Sequence, residues 1–290
     1  MRRIGKQETM DLRGDDRTST SGGRPVVMVA ELSTYRETVP RLLQALGANE
    51  VLARQERIVL KPNLIEARPP PVTTDVKCVE AVVAYCREVS GGRIIVADGS
   101  GGCETSECFV ALGYKRLEEE YGVELVDLNA AKTVTLTDAS NVFLKTFRMP
   151  DILVDSYVVS IPVLKAHSMS GVTLGLKNMM GVAPERYYGV GGHYKKWGLH
   201  KELHRAIVEL NKFRKPDLTL IDAAVGMATA HLWGPKCDPP VGKLIVSFDP
   251  VAADRVGCEM LGKEWSEVEH IVLADGVLGQ AQAEVKCVEL

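Results

Sequence analysis

Short runs of consecutive apolar, often β-branched residues recur along the chain, and stretches with apolar positions three and four apart separate them. PVVMVAE from Pro25, RIVLKPN from Arg57, RIIVAD from Arg93, VELVDL from Val123, DSYVVSIPVLK from Asp155, DLTLIDA from Asp217 and KLIVSFDP from Lys243 read as buried strands. Between them, Val39, Leu42, Leu43 and Leu46 share one helical face, as do Val79, Val82, Val83 and Cys86, and again Leu203, Ile207 and Leu210. Further helices are expected from Cys108 to Tyr121 and from Val251 to Leu261. ASNVFLKTFRMP reads as an added strand or hairpin. Glycines after Leu46 and Val89 stop two of the helices, and Thr73, Thr74 or Asp75 can cap the one that follows ARPPPV. Strands alternating with helices predict an α/β fold, a mostly parallel sheet with helices on both faces.

Met1 to Arg24 has neither period and mixes charges with Ser, Thr and Gly, so 1–24 is expected to be a disordered tail and 25–290 a single α/β domain. No internal repeat or heptad run points to a repeat array or coiled coil. At 46% hydrophobic and 25% charged, the composition is that of a soluble globular protein. No window carries the ~18 apolar residues of a membrane span, and no secretory signal is visible. The seven scattered cysteines fit a reducing compartment better than a disulfide framework. A cytoplasmic protein is expected, with neither membrane nor nucleic acid as partner.

Charge changes the picture in one place. From Ile161 to His204 the lysines at 165, 177, 195, 196 and 201 and Arg186 face only Glu185 and Glu202, a surplus of four positives in a chain of net charge −3. Such an island suits a small anion. Lys165 and Lys177 sit among apolar and small residues, which suits an anchor for carboxylate or phosphate, or a base of lowered pKa. His167 and His193, flanked by small residues, are candidates for proton transfer. His200 and His204 are four apart, but HKELH is not the HExxH zinc pattern.

Position adds a second signal. The strand runs end in Lys61 and Asn63, in Asp98 and Ser100, in Lys165 and His167, in Asp222 and in Asp249. Ligands of open α/β sheets bind outside the carboxyl ends of the strands, so these groups are expected around one crevice. The glycines after Asp98 lack the GxGxxG and Walker A spacings, there is no GxSxG elbow, and Cys103 with Cys108 forms no iron–sulfur motif.

The ordered set LKPN (Lys61, Asn63), PVTTD (Thr73, Thr74), VADGSG (Asp98, Ser100), IPVLKAH (Lys165, His167), VTLGLKNMMG (Thr173, Lys177, Asn178), His193, LIDA (Asp222), WGP (Gly234, Pro235) and SFDPVAAD (Asp249, Asp254) resembles the core of the domain-of-unknown-function 362 family, from about Ile58 to Gly262. Many relatives carry an attached ferredoxin-like cysteine cluster, and this chain resembles the core without it. The resemblance implies no established activity, but its motifs coincide with the polar strand ends.

The expected function is an enzyme acting on a small anionic substrate. Lys165, His167 and His193 would be catalytic, and Lys61, Asn63, Thr73, Thr74, Ser100, Thr173, Lys177 and Asn178 would bind substrate. Asp98, Asp222, Asp249 and Asp254 would orient these groups or hold a divalent metal. The alternative is a non-catalytic metal-, cluster- or cofactor-binding protein serving a redox protein.

Overall fold

Alternation along the strands sorts the core into two layers. In Arg57–Pro62, Ile58 and Leu60 belong to one apolar cluster and Val59 to the other. Ile94 and Val96 of Arg93–Asp98 likewise part from Ile95 and Ala97. Side chains two apart share a face, so each strand feeds both clusters at once. The cluster of Val59 takes the inner faces of helices Leu203–Phe213 and Pro250–Met260, and that of Ile58 and Leu60 takes those of Tyr35–Leu46 and Val76–Val89. The chain is therefore α/β as expected, with helices over both faces. The structure is a computed structural model that describes residues 23–189 and 195–289.

The strands are β1 (Val26–Glu31), β2 (Arg57–Pro62), β3 (Arg93–Asp98), β4 (Glu124–Asp127), β5 (Thr133–Thr137), β6 (Thr146–Pro150), β7 (Tyr157–Ile161), β8 (Val163–His167), β9 (Gly171–Thr173), β10 (Leu218–Met227), β11 (Lys243–Ser247) and β12 (Glu284–Cys287). The main sheet runs β12-β1-β11-β10-β7-β2-β3-β4. β8 continues beyond β7 along β10, and β9 folds back onto β8. Neighbours from β10 through β4 are parallel, whereas β11 is antiparallel to both β1 and β10. β5 and β6 form a separate antiparallel pair, which is the expected added hairpin with a second strand that the polar TVTLT run does not announce.

Local signals hold where they rest on backbone chemistry. Thr34 accepts from Glu37 N (3.3 Å) and Asp75 from Lys77 N (2.9 Å) at the starts of their helices, and Gly47 ends the first at φ 81°. The helix expected from Cys108 to Tyr121 is two pieces, Thr105–Ala111 and Lys115–Tyr121, because Gly113 at φ 78° breaks it.

One long-range tie is absent from the apolar pattern. Glu209 is 4% exposed, and its carboxylate accepts from Val142 N (2.8 Å), Phe143 N (2.9 Å) and Leu144 N (2.6 Å), pinning the β5–β6 turn to helix Leu203–Phe213. Glu209→Ala is expected to cost about 1–3 kcal/mol by stranding buried donors, read as a lower urea midpoint at unchanged slope.

Candidate functional site

The β2 and β3 ends, the β8–β9 hairpin and the turn Gly175–Val182 enclose a cleft of about 290 Å³. Its floor is a buried ion pair. Lys61 Nζ lies 2.7 Å from Asp98 Oδ1, and the two side chains are 1% and 3% exposed. Asp98 is fully occupied, since its Oδ1 also accepts from Gly99 N (2.9 Å) and its Oδ2 from Leu64 N (2.7 Å). Burial lowers the Lys61 pKa against the opposing pull of Asp98. Gly181 packs over this pair so closely that a Cβ there would lie 2.3 Å from Asp98 Oδ1 and 2.6 Å from Lys61 Nζ.

Lys165 is 1% exposed and donates to Asn63 Oδ1 (2.8 Å) and Val72 O (2.6 Å), both neutral. Burial, with the charge of Lys177 second, pushes its pKa down to about 7. Lys196 donates to Asn129 Oδ1 and Ala183 O and is pushed by burial to about 7. Lys177 is half-buried, has no hydrogen-bond partner among the described residues, and is lowered by desolvation to about 8. The Thr173 hydroxyl on β9 is buried and also without a partner. Asn178 braces the floor: its Nδ2 donates to Lys61 O (3.1 Å) and Ser160 Oγ (3.0 Å), and its Oδ1 accepts from Asn63 Nδ2 (3.2 Å).

Three histidines and two tryptophans complete the walls. His167 stacks on His231 with centroids 4.0 Å apart, and His200 stacks on Trp197 at 5.3 Å. Burial first and nearby lysines second depress His167 strongly and take His231 to about 3, so both rings are neutral near pH 7. His200 is lowered too, chiefly by burial. Nδ1 of His167 accepts from Met169 N (3.1 Å) and Ser170 N (3.2 Å), which assigns the ring proton to Nε2. Nδ1 of His200 faces Lys196 O at 3.0 Å, which assigns its proton to Nδ1 and makes Nε2 the acceptor nitrogen of the ring. At the rim Trp233 is 77% exposed under the Arg68 guanidinium, 4.1 Å from its centroid.

Of the residues singled out in the sequence, Lys61, Asn63, Asp98, Lys165, His167, Thr173, Lys177 and Asn178 line this cleft. Others lie elsewhere. Thr73 donates to Arg68 O (2.5 Å), Thr74 donates to Ile161 O (2.7 Å) and accepts from Asn63 N (2.9 Å), and Ser100 donates to Ile65 O (2.8 Å); all three are buried braces behind the wall. His193 lies outside the described residues. The strand resumes after Pro162 as β8, so that Lys165 lies within its last three residues and His167 is its final residue.

The four aspartates proposed as a cation set do not meet. Asp222 lies in the middle of β10, which runs on to Met227, and it packs toward helix Tyr35–Leu46, where Tyr35 Oη donates to it at 3.0 Å. Burial raises its pKa to about 6. Asp249 follows β11, whose antiparallel direction puts its carboxyl end at the opposite end of the strands from the cleft. There it caps helix Pro250–Met260, accepting from Val251 N (2.9 Å) and Ala252 N (3.0 Å). Asp254 accepts from Gly175 N (2.6 Å) and Leu176 N (2.9 Å), so it anchors the turn that carries Lys177 and Asn178. Among the described residues no three His, Cys, Asp or Glu side chains converge to hold a metal ion.

Lys196, Trp197, His200, His231 and Trp233 were not assigned to the site from sequence. Lys196 was visible only as part of the basic island. His200 was paired with His204, which instead points its Nδ1 at His270 N (3.1 Å). Trp233 opens the WGP motif and His231 stands two residues before it, and that nearness was the available signal.

The family described as a domain of unknown function, DUF362, matches residues 58–259. A thylakoid-associated protein of Synechocystis sp., sll1697, is 28% identical over 243 residues, which is 80% of this chain and 71% of that protein.

Proposed function

The chain belongs to the DUF362 family, whose description assigns no activity, and from the chemistry of its cleft we propose an enzyme that binds a small carboxylate or phosphate and moves a proton on it. One observation carries this reading: four lysines line the cleft against a single carboxylate, Asp98, whose oxygens are already occupied. Among the described residues Lys177 lacks an acceptor and the Thr173 hydroxyl lacks a partner, and a bound anion would supply both. It would also restore the charge on lysines that desolvation depresses, so binding and protonation reinforce each other.

The histidines give the cleft opposite proton roles. His167 can only donate, through Nε2–H, to a carbonyl or developing oxyanion, and His200 can accept a proton at Nε2. Catalytic roles for Lys165, His167 and His200 belong to this proposal. Four lysines would repel a divalent cation, which weighs against a metal carrier. A cytoplasmic setting is part of the same proposal. Among the described residues no helix is long and apolar enough to cross a membrane. The thylakoid association named for the Synechocystis relative is the alternative, and cell fractionation distinguishes the two.

The test is proton exchange. In deuterated water the protein is expected to wash deuterium into C3 of a 2-oxo acid or C2 of a 2-hydroxy acid in at least one member of a panel of such acids. His200→Gln is expected to slow that exchange roughly a hundred-fold while binding persists. Binding by the wild-type protein without any exchange across the panel would leave an anion-binding protein and overturn the enzymatic reading.

A further inference from the structure

Behind the Gly99–Gly102 turn two thiols meet. Cys103 Sγ and Cys108 Sγ are 3.0 Å apart, and no disulfide joins them. A disulfide needs roughly 2 Å, so a closing movement of about 1 Å separates the pair from a bond. The two differ in access: Cys103 is half-buried and reachable, while Cys108 is buried with its Sγ directed at Leu64 O (3.6 Å). That asymmetry is what an attacking and a resolving cysteine require. We propose that Cys103 and Cys108 are a redox-active pair, closing to a reversible disulfide with a hydroperoxide and reopening with a dithiol.

The chemistry balances within those reactants. The Cys103 thiolate attacks the peroxide O–O bond, taking the nearer oxygen as a sulfenic acid while the other leaves as water or an alcohol. Cys108 then attacks the Cys103 sulfur. The S–S bond forms, the S–O bond breaks, and the hydroxyl departs with the Cys108 proton as water. Two electrons pass from the pair to the peroxide. A dithiol returns them by exchange through a mixed disulfide.

Ser100 connects the pair to the cleft. Its Oγ lies 3.5 Å from Cys103 Sγ and 3.7 Å from Cys108 Sγ and donates to Ile65 O at 2.8 Å, while Ile65, Gly99 and Gly101 line the cleft wall. Oxidation therefore acts on the turn that shapes the site. The pair itself is independent of what the cleft binds.

Both cysteines fall in one tryptic peptide, 94–115, which makes the test direct. After brief hydrogen peroxide treatment, acid quench and maleimide labelling, this peptide is expected to be lighter by two hydrogen atoms and unlabelled. Dithiothreitol is expected to restore two labelled thiols. Cys108→Ser should halt the sequence at a Cys103 sulfenic acid trapped by dimedone, and Cys103→Ser should leave Cys108 fully alkylatable. Retention of two alkylatable thiols in the wild-type peptide, at peroxide doses that oxidise the exposed Cys287, would overturn the proposal whatever the variants do.

Discussion

Asp98→Asn is expected to lower folding stability by about 3–5 kcal/mol at pH 7, the cost of leaving one member of a buried ion pair without its partner. Lys61 and Asp98 are both nearly inaccessible, so water cannot compensate the charge that remains. The loss should shrink as pH rises. Lys61 already titrates below its unfolded value of 10.5, and without Asp98 it would fall further, so the unfolded chain holds the extra proton and stability climbs with pH through that window. Combining Lys61→Met with Asp98→Asn removes both charges and should recover part of the loss. Recovery is incomplete because an asparagine cannot accept from both Leu64 N and Gly99 N as the carboxylate does. Urea unfolding of the two variants decides the matter: a double variant no more stable than Asp98→Asn would show that the pair is not what holds the floor. We expect residues 25–290 to unfold in that experiment as one unit.

The same pair shows what the sequence could and could not disclose. Lys61 and Asp98 stood out as polar residues ending apolar runs, and the strands that carry them are parallel neighbours, so their convergence followed from the pattern. Asp249 ended an equally clear run, yet β11 runs the other way and takes its carboxyl end to the opposite end of the strands. Direction is set by which strands pair, and the apolar content of KLIVSFDP is the same either way. Asp222 failed for a different reason: β10 runs on to Met227, so Asp222 sits in mid-strand beside Tyr35, and the run LTLIDA does not show that the strand continues. His231 and Trp233 come from a loop with no period to read, and chain folding alone brings them opposite His167. Asp254, expected either to orient the site's groups or to hold a metal, accepts from Gly175 N and Leu176 N and so positions the turn that carries Lys177 and Asn178. A Cβ on Gly175 would meet Thr219 Cγ2 at 2.7 Å, so the approach that lets Asp254 reach this turn depends on glycine.

Lys177→Met is expected to weaken anion binding by about 2–5 kcal/mol, at least thirty-fold in Kd, because the variant removes a cleft ammonium that has no acceptor among the described residues. Stability without ligand should change little or rise slightly, since the variant also removes a desolvated charge that Lys165 feels. Binding to the wild-type protein carries a pH signature. With Lys165 and Lys196 near 7 and Lys177 near 8, a bound anion pulls protons onto lysines that are partly neutral without it. Affinity should therefore fall as pH rises through about 7–9. The stability of the unliganded protein should move the other way over that range, because the unfolded lysines keep their protons up to 10.5.

The most direct measurement is a thermal-shift titration of the wild-type protein and Lys177→Met with phosphate, pyrophosphate and a set of mono-, di- and tricarboxylates, at pH 6.5 and pH 9, with divalent cations in parallel. The cleft predicts that at least one anion stabilises the wild-type protein at pH 6.5, far less at pH 9, and Lys177→Met hardly at all. Stabilisation by divalent cations with none by any anion, or an anion effect that is equal at both pH values and survives Lys177→Met, would contradict it.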